Sequence, residues 1–189
     1  MTELEQYINT FLGIPKDKLA VMAELFKPEN LKKGEFHTSA GDLCKKLSFI
    51  KSGHFRVFAL KDGKEVTQWI ASQNEFITEL SSLVFDTPSR WNIQSLTECE
   101  IYTISKYDYD QIGLSVPEWK DLEKLFIAKC FATLEDRVFS FLSMSAEERY
   151  SQLIGYKKSL MNEVPLQYLA SSLGMTPETL SRIRKKSNS

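Results

Sequence analysis

VPLQYLASSLGMTPETLSRIRKK, residues 164–186, reads as two short helices joined by a glycine turn and finished by four basic side chains. Leu166, Leu169, Ala170 and Leu173 form one apolar face of the first helix, and Ala170 is small enough to let a second helix cross closely. Gly174 can take the left-handed conformation that a residue with a Cβ resists. Thr176 is a good N-cap, Pro177 suits the first helical position, and Glu178 complements the positive end of the dipole, so a second helix starts at Pro177. Along it Leu180 and Ile183 fall on one side, while Glu178, Ser181, Arg182 and Lys185 follow i, i+3, i+4, i+7 on the other. The outward set suits base edges and phosphates: Arg pairs bidentately with guanine, Glu accepts from the cytosine amino group, and Ser or Lys holds phosphate oxygens. This is the pattern of a DNA-reading helix-turn-helix. A helical hairpin with a solvated basic tail is the alternative that the segment by itself leaves open.

At 189 residues the chain can bury a real core, as one domain or as two small ones. The formal net charge is −1, so there is no global basic signature. Residues 145–189 hold seven Lys and Arg against four Asp and Glu, a net of +3, which leaves −4 for residues 1–144. A mildly acidic body with a basic C-terminal end fits nucleic-acid contact by that end alone. Cys44, Cys99 and Cys130 are odd in number and widely spaced, which indicates neither a disulfide framework nor a four-Cys metal site. The N-terminal MTELEQYINTFLGI is acidic and amphipathic, unlike a signal peptide, and no run approaches the roughly 18 unbroken apolar residues of a membrane span. The expectation is a soluble cytoplasmic protein with reduced thiols and no membrane partner.

From Thr2 to Phe26 the pattern is helical, with Ile8, Phe11, Leu12, Leu19, Met22 and Phe26 available for packing and a break near Pro15. From Leu31 to Ile104 it changes to short alternating runs punctuated by turn residues, as at Ser52-Gly53 and Asp62-Gly63. Leu47 and Phe49 alternate, as do Phe55, Val57 and Ala59, and Asp62-Gly63 reads as a hairpin turn. Such spacing predicts an antiparallel roll or barrel. A long segment from Pro117 to Leu142, without internal Gly or Pro, is apolar on more than one face. A helix of that kind needs two partners, its own roll and a second subunit, and Leu122, Leu125, Phe126, Phe131 and Leu134 are the candidate dimer contacts. A further helix, Ala146 to Met161, has Ser145 as N-cap and Glu147-Glu148 in its first turn. The chain therefore divides into a roll (residues 1–116), a dimerisation and linker helix (117–143) and an all-α reader (144–189), an α+β architecture.

That order of parts resembles the Crp/Fnr superfamily of bacterial transcription regulators, which join a cyclic-nucleotide-binding-type β-roll, a double-stranded β-helix, to a C-terminal helix-turn-helix through a dimerising helix. Phe49 to Gly53, Phe55-Arg56-Val57 and Lys61 to Glu65 look like the family's central hairpins. Ser145 to Tyr150, Val164-Pro165 and Leu169-Ala170 to Arg184 carry the more specific likeness, to a branch with short C-termini. The resemblance implies a homodimer that binds double-stranded DNA, with RNA polymerase and a small-molecule effector as further partners. It places base reading on Pro177, Glu178 and Arg182. Ser181 joins them from the spacing above, and Thr176, Arg184, Lys185 and Lys186 are assigned to phosphates. Pro177 departs from members that use an Arg there for guanine, so the operator sequence does not transfer. The usual β-hairpin wing is also not expected, since only Ser187, Asn188 and Ser189 follow Lys186.

In the family a cyclic nucleotide is held by a short helix begun by Gly-Glu, with an Arg about ten residues on. The Gly admits backbone amides to the phosphate, the Glu holds the ribose hydroxyl and the Arg neutralises charge. The corresponding run here is Phe76-Ile77-Thr78-Glu79-Leu80: Thr78 replaces the Gly, and Ser89 occupies the Arg position with Arg90 one residue further. A one-residue slip on a strand points Arg90 to the other face unless a bulge corrects it. The sequence thus weighs against a cyclic nucleotide and favours a roll whose ligand, if any, differs. Glu79 and Arg90 read equally well as a surface pair. No cofactor is indicated. His37 and His54 lack the His-x-His pair of a metal-dependent cupin and read as packing or surface residues, and neither a catalytic constellation nor a clustered iron-sulfur ligand set is visible. The expected protein is not an enzyme. A ligand-binding module acting through protein partners, without DNA, is the competing reading.

Overall fold

The computed structural model describes residues 2–12, 16–157 and 159–187, and everything stated below concerns those residues. Two helices, α1 (Glu3–Leu12) and α2 (Lys16–Glu24), open the chain. The predicted break at Pro15 and the side chains of Phe11 and Leu12 lie outside the described part. Leu4, Ile8, Leu19 and Met22 from these helices are buried in one core with Leu47 and Phe49.

Eight strands follow among the described residues: β1 (Lys27–Leu31), β2 (Phe36–Thr38), β3 (Lys46–Ser52), β4 (Phe55–Lys61), β5 (Lys64–Ala71), β6 (Phe76–Ile77), β7 (Asn92–Ser95) and β8 (Cys99–Ser105). They form two four-stranded antiparallel sheets, ordered β1-β8-β3-β6 and β2-β7-β4-β5. This is the predicted roll. It begins at Lys27, earlier than the Leu31 expected from sequence, because β1 is an outer strand. There Pro28, paired across from Tyr102, can face its missing N–H away from the neighbouring strand. Asp62 and Gly63 both take positive φ, 52° and 74°, in the tight turn between β4 and β5, the conformation whose twist matches a hairpin.

Strand alternation is only half visible in burial because both faces of several strands are covered. On β3, Leu47 and Phe49 join the helix-covered core, whereas Ile50 joins Phe55, Ile77, Ile93 and Ile101 inside the roll. On β4, Val57 packs against that interior, yet Arg56 and Phe58, on the outward face, are buried as well. The cover over that outward face comes from the C-terminal helices.

A short helix α3 (Leu80–Phe85) interrupts the roll, and α4 (Lys106–Ser115), N-capped by Ser105, leads out of it. The long helix α5 (Trp119–Ser143) spans 25 residues. Its first turns belong to the roll: Trp119 meets Tyr109 edge-on at 5.5 Å between ring centroids, and Phe126 meets Phe76 at 5.7 Å. Leu122 and Phe126, expected at a subunit contact, are buried in this intramolecular core instead. A two-faced periodicity does not say which face meets the roll. Leu125, Phe131 and Leu134 are the exposed face, continued by Val138, Phe139 and Leu142.

Ser145 and Glu148 form a capping box at the start of α6 (Ala146–Lys157), with Ser145 N–H donating to Glu148 Oε2 at 2.7 Å and Glu148 N–H donating to Ser145 Oγ at 3.3 Å. The helix ends at Lys157 rather than at Met161, and a separate turn of helix, α7 (Leu160–Glu163), buries Leu160. Then come α8 (Leu166–Ser172) and α9 (Pro177–Ser187). Their core, with Tyr150, Val164, Leu169, Leu180 and Ile183, also takes in Ile70 and Leu96 from the roll.

Candidate nucleic-acid interface and effector pocket

The α8–α9 turn is built as its residues predict. Gly174 sits at φ +67°, and a Cβ placed on it would lie 2.6 Å from Phe141 Cε1, so glycine is required both by conformation and by the approach of α5. The last carbonyls of α8 find partners that sequence reasoning missed. Arg137 Nη2 donates to Ser172 O at 2.6 Å, and Arg149 donates through Nε to Leu173 O at 3.0 Å and through Nη1 to Met144 O at 2.7 Å. The available signal was the orphan carbonyls of any helix C-terminus, which attract cationic side chains. Arg137 and Arg149 also lie over the Phe141 ring, each 5.0 Å from its centroid.

At the start of α9 the Thr176 hydroxyl accepts from Thr179 N–H at 3.3 Å, the predicted cap, and lies 3.3 Å from Thr179 Oγ1. Leu180 and Ile183 face inward, 0% and 4% exposed. Glu178, Arg182, Lys185 and Lys186 are exposed, with Pro177, Ser181 and Arg184 half-buried beside them. The Glu178 backbone N–H and the Thr176 hydroxyl hold the Glu178 carboxyl below its ordinary value, which keeps it an ionised acceptor at the tip of the helix. The assigned reading residues therefore stand together on one helix, and every one reaches solvent.

The predicted effector residues do not converge. Glu79 is buried and its Oε2 accepts the Ser82 N–H at 2.6 Å, capping α3. Thr78 donates to Lys46 O at 2.9 Å, and Leu80 packs against the helix-covered core. Ser89 is buried and donates to Trp91 O at 2.7 Å. Arg90 is exposed, its guanidinium carbon 5.7 Å from the Trp91 ring centroid. The Glu79–Arg90 surface pair is thereby corrected: Glu79 is spent on its own helix and Arg90 turns to Trp91.

One end of the roll interior is instead filled by a hydrogen-bonded chain of side chains. It runs from Lys46 to Glu29 (2.8 Å), Thr103 (2.8 Å), Ser48 (2.8 Å), His37 (2.9 Å) and Thr38 (2.9 Å), and on to the Cys44 thiol (3.4 Å). Burial, helped by the Lys46 charge, lowers the His37 pKa to about 3, so its imidazole is neutral. An open cleft of about 250 Å³ lies beside this chain, lined by Phe36, Thr38, Asp42, Leu43, Lys45 and Lys46.

A second arrangement, not anticipated from sequence, joins the roll to the C-terminal helices. Arg56, 3% exposed, is sandwiched between Phe58 (3.8 Å from guanidinium carbon to ring centroid) and Tyr168 of α8 (4.0 Å). Its nitrogens are satisfied by Glu65 at 2.5 Å and by Gln94 Oε1 at 2.8 and 3.1 Å. His54 bridges Ser72 Oγ (3.0 Å) and Glu163 Oε2 (2.9 Å). Lys157 pairs with Glu75 and donates to Ile70 O at 3.0 Å, while Thr67 N–H donates to Ser171 Oγ at 2.9 Å.

Comparison with known proteins agrees with this geometry. Residues 28–114 match the family model "Cyclic nucleotide-binding domain". Among curated proteins, the voltage-gated inwardly rectifying potassium channel KCNH2 of Oryctolagus cuniculus is 27% identical over 118 residues, which are 62% of this chain but only about a tenth (10%) of that protein's length. The Thermus thermophilus catabolite activator protein superposes with a TM-score of 0.60 at 19% identity, covering 93% of this chain and 84% of that one. CLP of Xanthomonas campestris, a c-di-GMP-responsive global regulator, does so with 0.67 at 17% identity, covering 92% of each chain. Residues 28–114 thus resemble a cyclic nucleotide-binding domain, and roll, long helix and C-terminal helices together have the fold of these two proteins.

Proposed function

We propose that this chain is a sequence-specific DNA-binding transcriptional regulator of the Crp/Fnr type that works as a homodimer in the cytoplasm. The observation that carries the reading is α9. Its apolar side is sealed into a core while Glu178, Ser181, Arg182 and the basic end are presented together to solvent. In this reading α8 and α9 are a helix-turn-helix, and Glu178, Ser181 and Arg182, with Pro177 at the helix start, face base edges in the major groove. Arg184, Lys185, Lys186 and Thr176 hold the register on phosphates. The exposed apolar side of α5, at Leu125, Phe131 and Leu134 and on to Leu142, supplies the subunit contact. A two-fold pair of readers predicts a partly palindromic operator with half-sites about 34 Å apart. RNA polymerase is the further partner that such a regulator implies.

The effector differs from a cyclic nucleotide bound in the family's usual manner. Glu79 is engaged in capping, Ser89 stands where the phosphate-neutralising Arg would be, and Arg90 is turned outward. Calorimetry with cyclic AMP at near-millimolar protein should show no micromolar binding that Arg90→Ala removes.

The decisive experiment is fluorescence titration against genomic fragments over a salt series. Affinity should fall with a log-log slope of roughly −0.9 per phosphate neutralised. Arg182→Ala should cost about 1 to 3 kcal/mol on the preferred site and relax preference at one base pair. Equal losses on preferred and random DNA would make Arg182 a phosphate contact, and undetectable binding at low salt would overturn the regulator reading.

A further inference from the structure

Strand β5 is an outer strand of its sheet, and an outer strand leaves one row of backbone groups without a strand partner. Two of these groups are satisfied by the C-terminal helices: Thr67 N–H by Ser171 Oγ of α8, and Ile70 O by Lys157 Nζ of α6. Beside this seam lies Arg56, whose planar guanidinium is held on both faces by aromatic rings, one from its own strand and one from α8. Gln94 and Glu65 fix the plane of the guanidinium from its edge. Phe36 backs the stack, 6.5 Å from Phe58. Thr67 Oγ1 is buried without a hydrogen-bond partner among the described residues.

We propose that Arg56 is a positioning residue for DNA reading: by clamping Tyr168 it fixes the angle of α8, and through the Gly174 turn of α9, relative to the roll, so that the two readers of a dimer meet both half-sites at once. The proposal rests on the regulator reading above. Its physical content is effective concentration. A reader held at the right angle presents the second α9 to the second half-site at high local concentration, and a loose one does not. The clamp therefore bears on a two-half-site duplex and leaves a single half-site nearly untouched. It also gives the roll a direct route to the reader through β4 and β5, beside the route through α5.

The test uses the full chain and a palindromic duplex that the wild-type protein selects from a randomised pool, together with the same duplex with one half-site scrambled. Tyr168→Leu should lower affinity for the palindrome by about tenfold and for the scrambled duplex by less than about twofold. Tyr168→Phe, which keeps the ring, should leave both unchanged, and Arg56→Ala should match Tyr168→Leu. Amide hydrogen exchange at Thr67 reads the docking without DNA: it should speed up in Tyr168→Leu and Arg56→Ala and stay slow in Tyr168→Phe. Equal losses on both duplexes, or faster exchange with the palindrome preference intact, would overturn the positioning role. Unchanged exchange in both ring-breaking variants would overturn the clamp itself. If the wild-type protein selects no duplex, the regulator reading falls, and with it the positioning role.

Discussion

His37 makes a pH prediction whose size follows from its surroundings. The residue is 6% exposed, its Nε2 is 2.9 Å from Ser48 Oγ and its Nδ1 2.9 Å from Thr38 Oγ1, and burial with Lys46 nearby lowers its pKa to about 3. In the unfolded chain an imidazole titrates near 6.5. Between those values the unfolded state binds the proton and the folded state does not, so acid favours unfolding. The contribution to stability is fully present above about pH 6.5 and is lost as pH falls toward 3. Per unit of pH the loss is about 1.4 kcal/mol, which amounts to about 2 kcal/mol between pH 7.5 and pH 5. The assay is urea unfolding followed by circular dichroism at both pH values, for the wild-type protein and His37→Gln. Other groups titrate in both proteins, so the quantity of interest is the difference. The variant should lose about 2 kcal/mol less on acidification, even if it is less stable at pH 7.5. Identical pH dependence in the two proteins would refute the buried neutral histidine.

Further expectations concern the C-terminal unit and the long helix. Gly174→Ala forces a Cβ into the left-handed region and against Phe141, and should destabilise by on the order of 1 to 3 kcal/mol, read as a lowered thermal midpoint. Leu180→Ala, at a fully buried position, should cost about 2 to 5 kcal/mol by denaturant titration, while Lys186→Ala on the exposed side should change stability by less than about 0.5 kcal/mol. For the homodimer proposed above, Phe131→Glu combined with Leu134→Glu should leave the far-ultraviolet spectrum unchanged and shift sedimentation from dimer to monomer, because both side chains are exposed on α5. A variant that stays dimeric would move the subunit contact elsewhere.

What could be read from the sequence was mostly local. Asp62-Gly63, Gly174, Thr176-Pro177 and the Leu180/Ile183 spacing each specify a backbone conformation or a buried face within a few residues, and the structure has them as read. The misses are questions of what lies opposite. Periodicity marked Leu122 and Phe126 as apolar but could not say that the roll, not a partner, receives them. Arg56 and His54 gave no sequence signal of their role because their partners, Tyr168 and Glu163, are more than a hundred residues away. Glu79 was legible as a carboxylate at the position the resembling family uses, yet its use as the cap of α3, through the N–H three residues on, was not, because Glu is not among the favoured N-cap residues.

The partly covered outer strand of the roll constrains how such a chain can change over evolutionary time. Because Ser171 and Lys157 satisfy two backbone groups of β5, the roll and the C-terminal helices are coupled through that strand and are not freely exchangeable modules. A transplanted C-terminal unit would have to bring a hydroxyl and an ammonium group to the same two backbone positions, and a roll cut free at the end of α5 would expose an unpaired strand prone to self-association.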